Sequence, residues 1–274
     1  MPLTKIAVAA GHHPLGLICW QLAISSFLLG ALLLIRSERI RLDRSTLIYC
    51  LIIALLGTVV PNTFQVLAFR ELPAGVMAIV IAFVPIVSLL VALLAGLEQF
   101  SWRRFLGVMV GVLSLAILAL PDASMPAAGK APWLLIALIA PVCYAIEGNF
   151  VAARAPVHLS PVAVLFAASV VGLTLVFPIV MLAGWSVSMA FPLDDSRLAL
   201  IGSGIGHVFA YSGYLWLLQR AGAVFASQIA YVVTITGVLA AVLVLGEPYS
   251  AVLGIVVGMV LLALTLVRPM KLHR

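Results

Sequence analysis

A chain of 274 residues that is 65% hydrophobic and only 9% charged has too few charges to clothe a water-exposed surface, since a soluble domain carries about 25%. The bilayer is its main solvent, and at about 20 apolar residues per crossing there is room for nine or ten helices and for no soluble catalytic or nucleotide-binding domain. The 15 Lys+Arg, against 9 Asp+Glu, sit singly or in short clusters between apolar stretches, the placement that encodes membrane topology rather than contact with nucleic acid.

Apolar spans are predicted at residues 14–35, 46–69, 74–97, 104–120, 132–153, 159–183, 197–218, 222–246 and 250–268. Each reaches, or nearly reaches, the length of a membrane-crossing helix, and none shows the ten-residue alternation of barrel strands. The fold class is therefore an all-α polytopic helical bundle. The opening residues are too short and too weakly patterned for a cleavable signal peptide. Trp102, Trp133 and Trp185 fall at span ends, where amphipathic rings favour the headgroup region. Cys19, Cys50 and Cys143 lie inside spans, odd in number and without CxxC or metal-ligand spacing; they read as small apolar residues, with no metal site.

Loop charges set the orientation. Alternate loops and the tail collect Arg36, Arg39, Arg41, Arg44, Arg103, Arg104, Arg154, Arg220, Arg268, Lys271 and Arg274, whereas the other side collects Lys5, Arg70, Lys130 and Arg197. Eleven basic residues against four puts the first set, and the C-terminus, in the cytoplasm. A bacterial-type inner membrane is the expected location.

The two halves of the chain resemble each other. A shift of 149 residues carries Gly57 onto Gly206 and Glu98 onto Glu247, each glutamate closing a long apolar span. A shift of 147 carries Gly107 and Gly111 onto Gly254 and Gly258, and His13-Pro14 onto Ser160-Pro161. Small-xxx-small spacing lets helices approach closely in lipid, so these glycines are expected to pack helices. The second half holds five spans and the first only four, so the counterpart of 132–153 falls at roughly −15 to 6, with residues 1–10 as its last turns. The expectation is two inverted five-helix repeats with the first helix largely missing, nine full spans plus a stub, and roughly 15–20 apolar residues encoded upstream. The boundaries are 1–120 for the first repeat, 121–131 for a linker and 132–274 for the second.

The stretch from Ala68 to Leu118 resembles the EamA-type repeat of the drug/metabolite transporter superfamily. It has a small/Pro-Ala start after a short loop, mid-span Pro85, span-closing Glu98 and then Gly107-xxx-Gly111. The second copy, Ala221 to Val267, keeps Glu247, Gly254 and Gly258 but has Thr234 where Pro85 would fall. The resemblance implies a ten-helix carrier with both termini cytoplasmic, moving amino acids, other metabolites or drugs. The sequence departs from that pattern at its N-terminus.

Polar residues inside lipid-spanning helices are costly and hence functional candidates. Glu147 lies well inside its span, with Cys143 and Tyr144 on the same face and Arg154 seven residues later. It reads either as a structural group, an ion pair with Arg154 or a snorkelling carboxylate, or as a proton- or substrate-linked carboxylate. Ser203, His207, Tyr211 and Tyr214 form one helical stripe, and the shift carries the last three onto Thr58, Asn62 and Gln65. The duplication favours two stripes lining one central cavity over packed interhelical hydrogen bonds. Ser227, Tyr231 and Thr234 make a third stripe, with Gln228 beside it. The substrate-binding set is thus Thr58, Asn62, Gln65, Tyr144, Glu147, His207, Tyr211, Tyr214, Gln228 and Tyr231, with Glu147 and His207 as proton-coupling groups. Pro61, Pro85, Pro141 and Pro178 interrupt spans and mark kinks.

The function expected from all this is a secondary transporter of small metabolites, amino acids or drugs working by alternating access. A cavity of Asn, Gln, Tyr, Thr and His with one carboxylate suits neutral, zwitterionic or weakly cationic solutes better than polyanions. HExxH, GxSxG and P-loop motifs are absent, which argues against an enzyme. The alternative is a non-transporting membrane scaffold or a truncated inactive carrier. No cofactor is implied; the partners are a small-molecule substrate and the lipid bilayer, with a homodimer left open.

Overall fold

The structure, a computed structural model, describes residues 2–38, 40, 43–96, 99–118, 130–154, 159–189, 193–226, 229–246 and 250–267. Among them are ten helices and no strand: α1 (Pro2–Ala9), α2 (Pro14–Ile35), α3 (Arg44–Glu71), α4 (Ala74–Leu94), α5 (Trp102–Leu118), α6 (Ala131–Arg154), α7 (Pro161–Leu182), α8 (Asp195–Ala226), α9 (Ile229–Leu245) and α10 (Ala251–Val267). Six of these, α2, α3, α4, α6, α7 and most of α8, are long and apolar enough to cross a membrane. The chain is a multi-pass membrane protein.

The helix starts explain the repeated dipeptide. His13 and Ser160 are the N-caps of α2 and α7, each followed by proline. His13 Nδ1 accepts from the Leu15 amide at 3.3 Å and Ser160 Oγ from the Ala163 amide at 3.1 Å. Proline there loses no helical bond, because the first-turn N–H groups have no partner within the helix.

Helix contacts follow the repeat. Helices α2 and α7, α4 and α9, and α5 and α10 each pack against their own counterpart. The remaining pairs come in exchanged sets: α3 with α6 as α8 with α1, and α2 with α8 as α7 with α3. In its first half α4 is buried from Ala74 through Val80 on every side, as expected for a helix apolar all round. It runs through the centre of the bundle.

Gly107 works as its spacing predicts: a Cβ there would meet Leu266 Cβ at 2.8 Å and the Ala263 carbonyl oxygen at 2.9 Å, so α5 and α10 touch backbone to backbone. The second position of the motif differs between the copies: a Cβ on Gly111 would meet Ile86 Cδ1 at 2.4 Å, whereas one on its counterpart Gly258 would meet nothing within 4 Å. Helix α4 breaks at Ala82–Phe83, because Pro85 brings no N–H for the Ile81 carbonyl; α9, with Thr234 at that place, runs unbroken.

The boundary between the predicted spans 197–218 and 222–246 also moves. Residues 219–226 continue α8 instead of opening the next helix. The shift places Gly222 where the first half has Pro73, which ends α3 by holding the preceding Leu72 extended. A glycine leaves the helix free to go on. Glu98 and Glu247 lie outside the described residues.

Candidate functional site

The site is built where α3, α6 and α8 meet. Between Leu55 and Val59 α3 widens into a π-turn, with the Val60 amide bonded to the Leu55 carbonyl. The cause lies two residues on. Pro61 supplies no N–H, so the ladder skips a residue and Gly57 turns towards the neighbouring helices; such turns recur at functional sites. A Cβ on Gly57 would collide with Tyr211 Oη and lie 3.3 Å from Glu147 Cδ. Glycine there lets a tyrosine from α8 and a carboxylate from α6 close on the α3 backbone.

Tyr211 Oη donates to Glu147 Oε1 at 2.6 Å. Glu147 is 0% exposed, and its Oε2 has no hydrogen-bond partner among the described residues. Arg154 is exposed at the end of α6. The ion pair is not what the structure holds: Glu147 reaches across to α8 instead of along its own helix.

In front of this pair lies a cavity of about 580 Å³. Asn62 and Gln65 of α3, Tyr144 of α6, and Ser203, His207, Tyr211 and Tyr214 of α8 line it. Gly57 and Gly206, Asn62 and Tyr211, and Gln65 and Tyr214 are pairs under the 149-residue shift, so both copies face one space. Thr58 departs from the pattern. It is 3% exposed and off the wall, while its counterpart His207 is on it, because the π-turn rotates Thr58 away. Glu147 is also off the wall, behind Tyr211. Gln228 lies outside the described residues, and of Tyr231 only the backbone is described, within α9.

A polar chain crosses the cavity. Tyr144 Oη donates to Asn62 Oδ1 at 2.9 Å and accepts from Gln65 Nε2 at 3.3 Å, and Asn62 Nδ2 donates to Gln21 Oε1 at 3.1 Å. On α8 the rings of His207 and Tyr211 lie 5.2 Å apart and those of Tyr211 and Tyr214 6.1 Å. Sequence reasoning missed Gln21, Ser88 and Asn149. Each is a polar residue inside an apolar span, the same signal that found Glu147. Asn149 Nδ2 donates at 2.8 Å to Ser88 Oγ and so holds α4 to α6 just past the Pro85 break. No three His, Cys, Asp or Glu side chains gather to hold a metal among the described residues.

The EamA-like transporter family matches residues 1–120 and again 131–268. The chain belongs to this family. Its members are membrane transporters of small molecules, and the two matched segments are the halves whose helices pack as exchanged partners. A solved structure titled "Crystal structure of protein" is similar to it, with TM-score 0.69 and 17% identity, covering 97% of this chain and 90% of that one. At that identity the likeness speaks for the fold alone. No curated protein matches the chain.

Outside the cavity the ends of the helices are clasped together. His13 stacks on Trp185 with ring centroids 3.6 Å apart, and Trp20 Nε1 donates to the Val187 carbonyl at 2.8 Å. Arg70 donates to the His12 carbonyl at 2.7 Å, Lys5 to the carbonyls of Phe69 and Leu72, and Lys130 pairs with Glu71. All these residues lie on the side that carries only four basic residues.

Proposed function

We propose that the chain is a secondary carrier that moves a small solute through the central cavity by alternating access, with Glu147 and Tyr211 as its coupling pair. One observation carries this reading. Tyr211 presents its ring to the cavity while its hydroxyl donates at 2.6 Å to a carboxyl group that is wholly buried and half unpartnered. A solute against the ring and a proton on the carboxyl group therefore act on the same side chain, the arrangement coupling requires. An ionisable group held in the membrane without a counter-ion is costly unless it serves function. His207, next on the stripe, is the second proton-linked group. Both repeats contribute to the cavity, as in inverted-repeat carriers whose sites sit between the halves. The partners are the solute and the bilayer, and the charge asymmetry favours an inner-membrane orientation with the C-terminus in the cytoplasm.

Counterflow of solute in proteoliposomes tests the reading. Glu147→Gln keeps the Tyr211 hydrogen bond but carries no titratable proton, so exchange should persist and lose the part of its pH dependence that Glu147 supplies. An unchanged pH profile in this variant sinks the coupling role. Absence of exchange in the wild-type protein, over a broad solute panel, sinks the carrier.

A further inference from the structure

The hydrogen-bonding groups of the cavity are mostly spent on one another. Tyr144, Asn62, Gln65 and Gln21 bond in a chain, and the Tyr211 hydroxyl is committed to Glu147. Tyr214 and His207 make no hydrogen bond among the described residues, and both face the cavity. Opposite them the wall is apolar: Leu17 and Ile18 of α2, Ile81 and Val84 of α4, Val233 of α9. None of the described lining residues is Lys, Arg, Asp or Glu. Glu147 is screened from the space by the ring of Tyr211.

A solute entering this space exchanges water for apolar walls, one ladder of aromatic rings and a few free polar handles, Tyr214 and His207 on α8 and Thr4 on α1. An ion loses its hydration shell with no counter-charge to replace it, and that penalty exceeds what a cation–π contact with a tyrosine returns. A zwitterion loses two shells. An uncharged solute with an apolar body gains from the walls and satisfies its polar group on Tyr214 or His207. Resting on the carrier reading, we propose that the cavity selects uncharged amphipathic solutes, an apolar ring or chain bearing one or two hydrogen-bonding groups, over cationic or free-amino-acid forms of the same shape. Tyr214 is the residue that reads the polar group.

The test uses the purified full chain and two series, each sharing one ring and differing in the polar group and its charge. One is indole-3-acetamide, tryptamine and tryptophan; the other is phenylacetamide, phenethylamine and phenylalanine. In equilibrium binding each amide should bind at least about tenfold more tightly than its amine or amino acid. Tyr214→Phe should weaken the amides about fivefold, the loss of one hydrogen bond, and leave toluene, which bears no hydrogen-bonding group, unchanged. Tighter or equal binding of an amine or amino acid overturns the proposal, and so does failure of both amides to bind. If Tyr214→Phe leaves amide affinity intact, its assigned role is wrong. Counterflow with the same compounds separates the two readings. Exchange without preference for the amides overturns the solute class and keeps the carrier; amide binding without exchange of any compound overturns the carrier and keeps the class.

Discussion

Gly57→Ala adds one methyl group at the point where α3 meets the hydroxyl of Tyr211. The new Cβ would fall on Tyr211 Oη, 3.0 Å from its Cζ and 3.3 Å from Glu147 Cδ. Tyr211 is wedged between α3 and α6, so the ring has to swing off Glu147 or the helices have to part. Overpacking of this kind costs about 1–3 kcal/mol, and leaving a buried carboxyl group without its donor costs about as much again. Alanine returns about 1 kcal/mol in helix propensity. The net loss is about 1–5 kcal/mol, roughly 5- to 5,000-fold in any equilibrium that needs the closed arrangement. Gly206 is the control built into the repeat: a Cβ there would meet nothing within 4 Å. Thermal unfolding of the two variants in one detergent, read by loss of the monodisperse peak, should show Gly57→Ala less stable and Gly206→Ala equal to wild type or better. Two glycine variants that behave alike, or a Gly57→Ala as stable as the parent, would refute the reasoning.

The same logic applies to the small-residue motif: Gly111→Leu should lower stability by several degrees, whereas Gly258→Leu at the equivalent position should not, and equal effects would mean that both positions pack a helix. His13 sits outside its span, and burial and then the Arg70 charge hold its pKa below the ordinary value of 6.5. A histidine with a depressed pKa keeps its folded contribution above about pH 6.5 and loses it as the pH falls, so Trp185 fluorescence should change on acidification below that point; a His13→Gln protein showing the same transition would assign it elsewhere. A reporter active only in the cytoplasm should work when fused after Arg274 and stay silent in the 122–130 loop, and the opposite pair of results reverses the topology.

Much of the bundle was legible because its signals are collective. Nine spans follow from runs of apolar residues, and the exchange of helix partners follows from offsets shared by Gly57, Gly206 and the paired polar stripes. What escaped depends on single atoms acting through neighbours. The missing N–H of Pro61 opens the π-turn that sets Gly57 against Tyr211 and sends Thr58 off the wall, while His207, with no such turn on α8, stays on it. Gly222 in place of Pro73 lengthens α8. Glu147 was found from its cost in lipid, but periodicity along α6 offered Arg154 as its partner and gave no sight of Tyr211, 64 residues away on another helix.

The pairing of α2 with α7, α4 with α9 and α5 with α10 also bears on how the chain is made. Each of these contacts joins a helix synthesised early to one synthesised about 150 residues later, and at about 5–20 residues per second that is a delay of roughly 10–30 seconds. Throughout it, Gly107 on α5 lacks the helix that closes on its backbone, because α10 has yet to be made. The helices of the first repeat therefore wait in the membrane without their main packing partners. Whatever holds them during that wait, lipid or an insertase, is part of this protein's folding.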